Sequence, residues 1–257
     1  MNRTLFSIFL LVTLVFSSTA DAQKRRFPPK PFKKPAANTA VNRGNSNTAI
    51  VVDERLAVLR SEPSLFAAPI QRMRRGRAVS ISGSKEADGV TFYRVVALPN
   101  NSGWVQSEAV AGRFKRGDDQ RLAKLVQASE GFEQIERAEI FLETFNDSPL
   151  RPALLLLFGD LIEDTALKIS NDATKKLDRR EMAASGAPLH SFYLNYVSLD
   201  RYRKIGVVFL FNPATKLIHY DGATWREIVQ KFPKSSEAAE AQKRLDSLKE
   251  KMAAATK

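Results

Sequence analysis

The hydrophobic period of this chain changes near Gly112, and that change limits what the chain can fold into. Ahead of Gly112, apolar residues come in short runs bounded by turn residues; behind it they recur every three or four positions. The first pattern suits strands with one covered face, the second amphipathic helices. A block of strands followed by a block of helices argues for an α+β chain and against a βαβ alternation.

In the first block, AIVVDE and LAVLR precede the turn SEPS, then come IQRM and RRG. AVSISG follows, with Val79 and Ile81 alternating, then the turn KEADG, the run VTFYRVVAL, the turn PNNSG and the closing WVQ. So many short strands between residues 49 and 112 read as a small β-barrel, too short for a sandwich.

The second block, residues 113–257, reads as helical. Asp118 or Asp119 caps a helix carrying Leu122, Leu125 and Val126, and Ile135, Ala138, Leu142 and Phe145 form the next stripe. Asn146-Asp147 breaks it, and Ser148 reads as an N-cap with Pro149 at the first helical position. The helix that follows, through LRPALLLLFGDLIEDTALKIS, is apolar on more than one face and should be buried; Asp160 interrupts it as a membrane span. Towards the end, Trp225, Ile228, Val229 and Phe232 share a helix stopped by Pro233. Ser235 or Ser236 then starts a last helix with Ala238, Ala241, Leu245, Leu248 and Met252. Laying FLETFNDSPLRPAL over IVQKFPKSSEAAEA aligns Phe145 with Phe232 and Ser148 with Ser235, the signature of a repeated helix–turn–helix unit. Between the units, HSFYLNYVSLDRYRKIG reads as helical. VVFLFNPATKLIHY, at about 206–220, reads as a β-hairpin that either docks a partner or covers a helical flank.

The ends set the context. Residues 1–22 have the anatomy of a secretory leader: Arg3, an apolar run from Leu5 to Phe16, and Ala20-Asp21-Ala22 before the expected cleavage. That run is about 12 residues against the roughly 20 that span a bilayer, which disfavours the alternative of a retained anchor. Residues 23–48 read as a disordered, Pro- and Lys-rich linker. Its cations Lys24, Arg25, Arg26, Lys30, Lys33, Lys34 and Arg43 contribute +7 of the chain's +12. The chain has no Cys, which excludes disulfides, thiol chemistry, cysteine zinc sites and iron–sulfur clusters.

LAVLRSEPS, MRRGRAVSISG, FYRVV and SGWVQSEAV, in this order, resemble the bacterial SH3 (SH3b) domain family. The turn is Arg60-Ser61-Glu62-Pro63-Ser64, the glycine lead-in Met73 to Gly76, the aromatic pair Phe92-Tyr93 and the ending Gly103-Trp104-Val105. Glu62 stands where that family usually has Gly, and Phe92 where it has Trp. FPKSSEAAEAQKRL is similar to the end of a tetratricopeptide-type repeat. The first resemblance implies association with peptidoglycan or envelope proteins; the second implies a helical protein-binding scaffold.

Chemistry-bearing patterns are few. His190 follows Ala187-Pro188-Leu189, and His219 lies in an apolar strand where a hydrogen-bonded structural role is expected. Neither has metal-ligand spacing, and no Gly-rich phosphate loop or GxSxG occurs. The acidic pairs Glu163-Asp164 and Asp118-Asp119 read as solvated helix faces. Catalysis, cofactors and a metal are therefore not expected. Arg72, Arg74 and Arg75, with Arg77, form either an anion-binding patch or a charged edge strand that discourages pairing. Phe66, Tyr93 and Trp104 are the candidate groove aromatics, at least one of which is plain core. The expectation is an exported, non-catalytic envelope protein, periplasmic or extracellular, whose barrel binds a cell-wall polymer or an envelope protein. The alternative is an adaptor whose helical region docks a protein with the barrel as spacer. The cationic segment is expected to adhere to anionic surfaces. Nucleic acid is not an expected partner, because export and the lack of interleaved aromatics in that segment argue against it.

Overall fold

The computed structural model describes residues 47–97 and 101–253. The leader at 1–22 and the cations Lys24 to Lys34 lie outside the described residues. The chain is α+β: a curled antiparallel sheet forms a half-barrel, and helices follow it. The strands are β1 (Thr48–Val51), β2 (Val58–Arg60), β3 (Pro69–Arg72), β4 (Ala78–Ala87), β5 (Val90–Ala97), β6 (Asn101–Gln106) and β7 (Val110–Ala111). They pair in the order β3-β2-β6-β5-β4-β1-β7.

The strand β4 runs further than its sequence suggests. Lys85, Glu86 and Ala87 stay paired with β5, and the turn shrinks to Asp88 and Gly89, with φ of 52° and 72°. Two central residues at positive φ make the mirror-image turn whose twist matches paired strands, and Asp-Gly is a favoured pair for it. The Asp88 carboxylate also accepts from the Ser64 hydroxyl (2.7 Å) and the Leu65 amide (2.8 Å), tying the RSEPS turn to the far end of the hairpin.

β1 belongs to two cores. Ala49 and Val51 face the inside of the half-barrel, beside Val79, Val95 and Val105. Ile50 and the following Val52 point the other way, into a core shared with Leu122, Ile135 and Phe141 of the helices. A strand covered on both faces reads as an unbroken apolar run, which is what AIVV is. Polar ties reinforce the seam. The Val52 carbonyl accepts from Arg137 Nε (3.1 Å) and Arg75 Nε (3.3 Å). Arg75 also pairs with Glu133 (2.9 Å) and Glu136 (2.7 Å). Arg137 pairs with Glu133 at 2.7 Å and lies 3.8 Å from the buried Asp53. The Arg55 side chain, hydrogen-bonded to Asp53, holds that carboxyl below its ordinary range against the opposing effect of burial.

The helices are α1 (Asp118–Gln127), α2 (Gly131–Thr144), α3 (Arg151–Lys176), α4 (Arg179–Ser185), α5 (Leu189–Leu194), α6 (Asp200–Lys204), α7 (Ala223–Lys231) and α8 (Ala238–Ala253). α1 packs on α2, α2 on α3, α3 on α7 and α7 on α8. The hairpin of β8 (Phe209–Asn212) and β9 (Leu217–Tyr220) lies against α3. Its packed residues are Phe209, Phe211 and all of Ile218 to Tyr220, while Val208 is exposed.

The turn before three helices repeats one hydrogen-bond pattern. Ser148 N donates to Phe145 O and Arg151 N to Ser148 O ahead of α3; Ser235 N to Phe232 O and Ala238 N to Ser235 O ahead of α8. Lys115 N to Gly112 O and Asp118 N to Lys115 O do the same ahead of α1, an instance the sequence comparison does not reach. This geometry moves the start of α3 to Arg151, past the expected Ser148-Pro149. Pro152 then occupies the first turn, where a missing amide costs nothing. Ser148 bonds Asp119 (2.7 Å) and accepts from Leu150 N (3.3 Å).

Two acids expected on solvated faces are buried. Asp118 accepts from the Gly112 amide (3.0 Å) and from Arg121 (3.0 Å). Glu163 accepts from His219 Nδ1, Lys251 and the Tyr220 amide, each at 2.9 Å, so it clamps α3, β9 and α8 together. Asn212 adds a bond to the Lys251 carbonyl (2.6 Å).

Candidate functional site

Tyr93 and Trp104 cannot line one groove, because they lie on opposite faces of the sheet. In the β5–β6 register Tyr93 faces Val105, whereas Trp104 faces Arg94, and side chains alternate across a strand. Trp104 stands on the outer face, half-buried, with Arg94 opposite it on β5 and Arg60 on β2. Tyr93 turns to the other face and partly joins the half-barrel core.

On that face Tyr93 meets Phe114 edge to face, with centroids 5.5 Å apart. The pair sits in a cleft of about 600 Å³ walled by Ile81, Ser82 and Ser84 of β4 and by Lys115 and Arg116. The β4–β5 register shifts between Ile81 and Gly83, and this bulge bends β4 where it borders the cleft. Lys115 and Arg116 are exposed, and neither pairs with a carboxylate among the described residues. Burial, helped by the charges of Asp118 and Glu108, pushes the Tyr93 phenol up and keeps it a neutral hydrogen-bond donor. An aromatic floor with two exposed cations at its rim suits a ligand that carries carboxylates on an apolar or sugar frame.

The other expected residues are scattered. Phe66 projects from the loop before β3 at 90% exposure. Arg72, on the edge strand β3, donates to the Glu54 (2.9 Å) and Arg55 (3.0 Å) carbonyls. Arg74 is exposed, while Arg75 is committed to Glu133 and Glu136. The arginine cluster therefore divides, and Arg75 serves as a tie to α2 rather than as part of an open anion patch. Phe114, Lys115 and Arg116 are missed by sequence reasoning although RFKRG is itself a cation–aromatic cluster; its position just after the last strand makes it look like a linker.

Among the described residues no group of His, Asp or Glu is arranged to hold a metal ion. Among them, too, no helix is long and apolar enough to cross a membrane. No family model matches the chain, and neither a curated protein nor a solved structure matches it significantly.

Proposed function

We propose that this is an exported, non-catalytic binding protein of the bacterial cell envelope, and that the Tyr93 cleft takes a carboxylate-bearing cell-wall polymer. The observation that carries the reading is the cleft itself: the Tyr93–Phe114 pair flanked by Lys115 and Arg116, cations without acidic partners among the described residues. The resemblance to SH3b domains supports it through the tied RSEPS turn and the curled sheet. The tetratricopeptide-like reading of the helices rests on the repeated turns before α1, α3 and α8. On this reading the leader directs export and the Lys24–Pro35 segment adds salt-sensitive adhesion to anionic surfaces.

The test is co-sedimentation with purified peptidoglycan. The wild type should pellet at a salt concentration that screens the Lys24–Pro35 cations, and there a Lys115→Glu/Arg116→Glu variant that melts like the wild type should remain in solution. A folded wild type that stays in the supernatant overturns the reading.

A second reading, an adaptor whose helical region docks a protein, is favoured by exposed Val197 (72%) and Val208 (52%). Both lie in the segment between α3 and α7. Because β1 is shared by both cores, the two readings are best separated in the whole chain, by comparing Lys115→Glu/Arg116→Glu with Val197→Asp/Val208→Asp for retention of envelope proteins.

A further inference from the structure

Away from the half-barrel, the structure holds a second cavity of about 320 Å³, bounded by the end of α3, by α4 and α5, and by Lys216 in the β8–β9 turn. Its volume lies at the small end of the range for small-molecule sites. Leu177, Met182, Ala183, Leu189 and Phe192 make its wall apolar. The two hydroxyls on that wall, Thr174 and Tyr193, hydrogen-bond each other at 3.1 Å, so they ask nothing of an occupant.

The helix over the cavity is capped at both ends. Asp178 caps α4 by accepting from the Arg180 amide (2.7 Å) and the Glu181 amide (3.3 Å), and Gly186 closes it at φ 68°. Among the helices of the described residues, α4 alone buries no residue. A seven-residue helix of this kind has little stability of its own and gains from any apolar body placed beneath Met182 and Ala183.

The rim decides what that body is. Arg179 and Lys216 line the mouth, and neither has a carboxylate partner among the described residues. Asp178 is engaged in capping, and Asp172 is engaged with Lys176 (3.0 Å) and Tyr196 (2.6 Å). An apolar interior with a cationic mouth points away from sugars, and away from cationic or neutral lipids.

The geometry points to a site for a single-chain anionic amphiphile, its acyl chain in the cavity and its carboxylate between Arg179 and Lys216. The site is separate from the Tyr93 cleft and does not depend on the function proposed for it.

The test is calorimetric titration of the full chain with dodecanoate below its micelle concentration. Saturable one-to-one binding is expected, weakening about fourfold for each methylene removed down to octanoate. Dodecyltrimethylammonium should bind more weakly to the wild type, and an Arg179→Glu/Lys216→Glu variant should reverse that order. Ala183→Trp fills the cavity and should abolish binding of both without altering the circular dichroism spectrum. Absence of saturable binding, indifference to chain length, or unchanged binding by Ala183→Trp would each overturn the assignment.

Discussion

Tyr93 and Phe114 stand with ring planes 85° apart, an edge-to-face contact that fastens the loop carrying Lys115 and Arg116 to β5. The same contact both packs the half-barrel and sets the cleft, so stability and binding should fall together when it is cut. Phe114→Ala is expected to cost about 1–2 kcal/mol, from the aromatic pair and the apolar area lost. Calorimetric melting and a peptidoglycan pull-down on the same preparation check this. A variant that melts lower yet binds as before would separate the loop from the site.

Gly159 answers to Trp225 rather than to its own helix. A Cβ at position 159 would clash with Trp225 Nε1, and that indole N–H is buried without a hydrogen-bond partner among the described residues. In an open helix, Gly→Ala stabilises by about 0.5–1 kcal/mol. Here overpacking a buried ring costs about 1–3 kcal/mol, and the clash decides the sign. Gly159→Ala should lower Tm by about 2–4 °C per kcal/mol lost, whereas Gly159→Ala with Trp225→Phe should recover part of the loss.

Glu163 predicts an acid limb. Burial opposes its ionisation, but His219, Lys251 and the Tyr220 amide together bring it down from 4.5 to about 2. The folded value lies below the unfolded one, so the stabilisation is complete above pH 4.5 and fades as pH falls towards 2. Its size is about 3 kcal/mol. Denaturant titrations of the wild type and Glu163→Gln should therefore differ most near neutrality and converge in acid; a gap independent of pH would contradict the clamp.

Deleting Lys24 to Pro35 should leave Tm unchanged. It should also abolish low-salt binding to vesicles containing anionic lipid, since each cation near such a surface contributes about 1 kcal/mol. Vesicle flotation at low and high salt measures this. Retention of low-salt binding by the deletion, or binding by the full chain that ignores salt, would reduce the segment to a linker.

The order of elements was legible because each period is local. Val79 and Ile81 alternate, Ile135, Ala138 and Leu142 follow the helical repeat, and KEADG marks a turn, which the pairing narrows to Asp88-Gly89. What stayed hidden is what only a third dimension decides. Glu163 and Asp118 look like surface acids until His219, 56 residues away, and the Gly112 amide supply their partners. Arg75 looks like one of a cluster until Glu136, 61 residues on, claims it. Tyr93 and Trp104 were both legible as candidate groove aromatics, yet the parity of the β5–β6 register, which sets them on opposite faces, needed the pairing itself.

The most direct test of the proposed function is fluorine NMR of the protein labelled with 3-fluorotyrosine, titrated with soluble glycan–peptide fragments of peptidoglycan. The chain has five Tyr, and Tyr93→Phe assigns the resonance of interest. The Tyr93 signal is expected to shift saturably while the other tyrosines stay still; Lys115→Glu/Arg116→Glu should suppress the shift, and Trp104→Ala, on the far face, should not. A Tyr93 signal that stays fixed while the fragments bind, or fragments that do not bind at all, would contradict it.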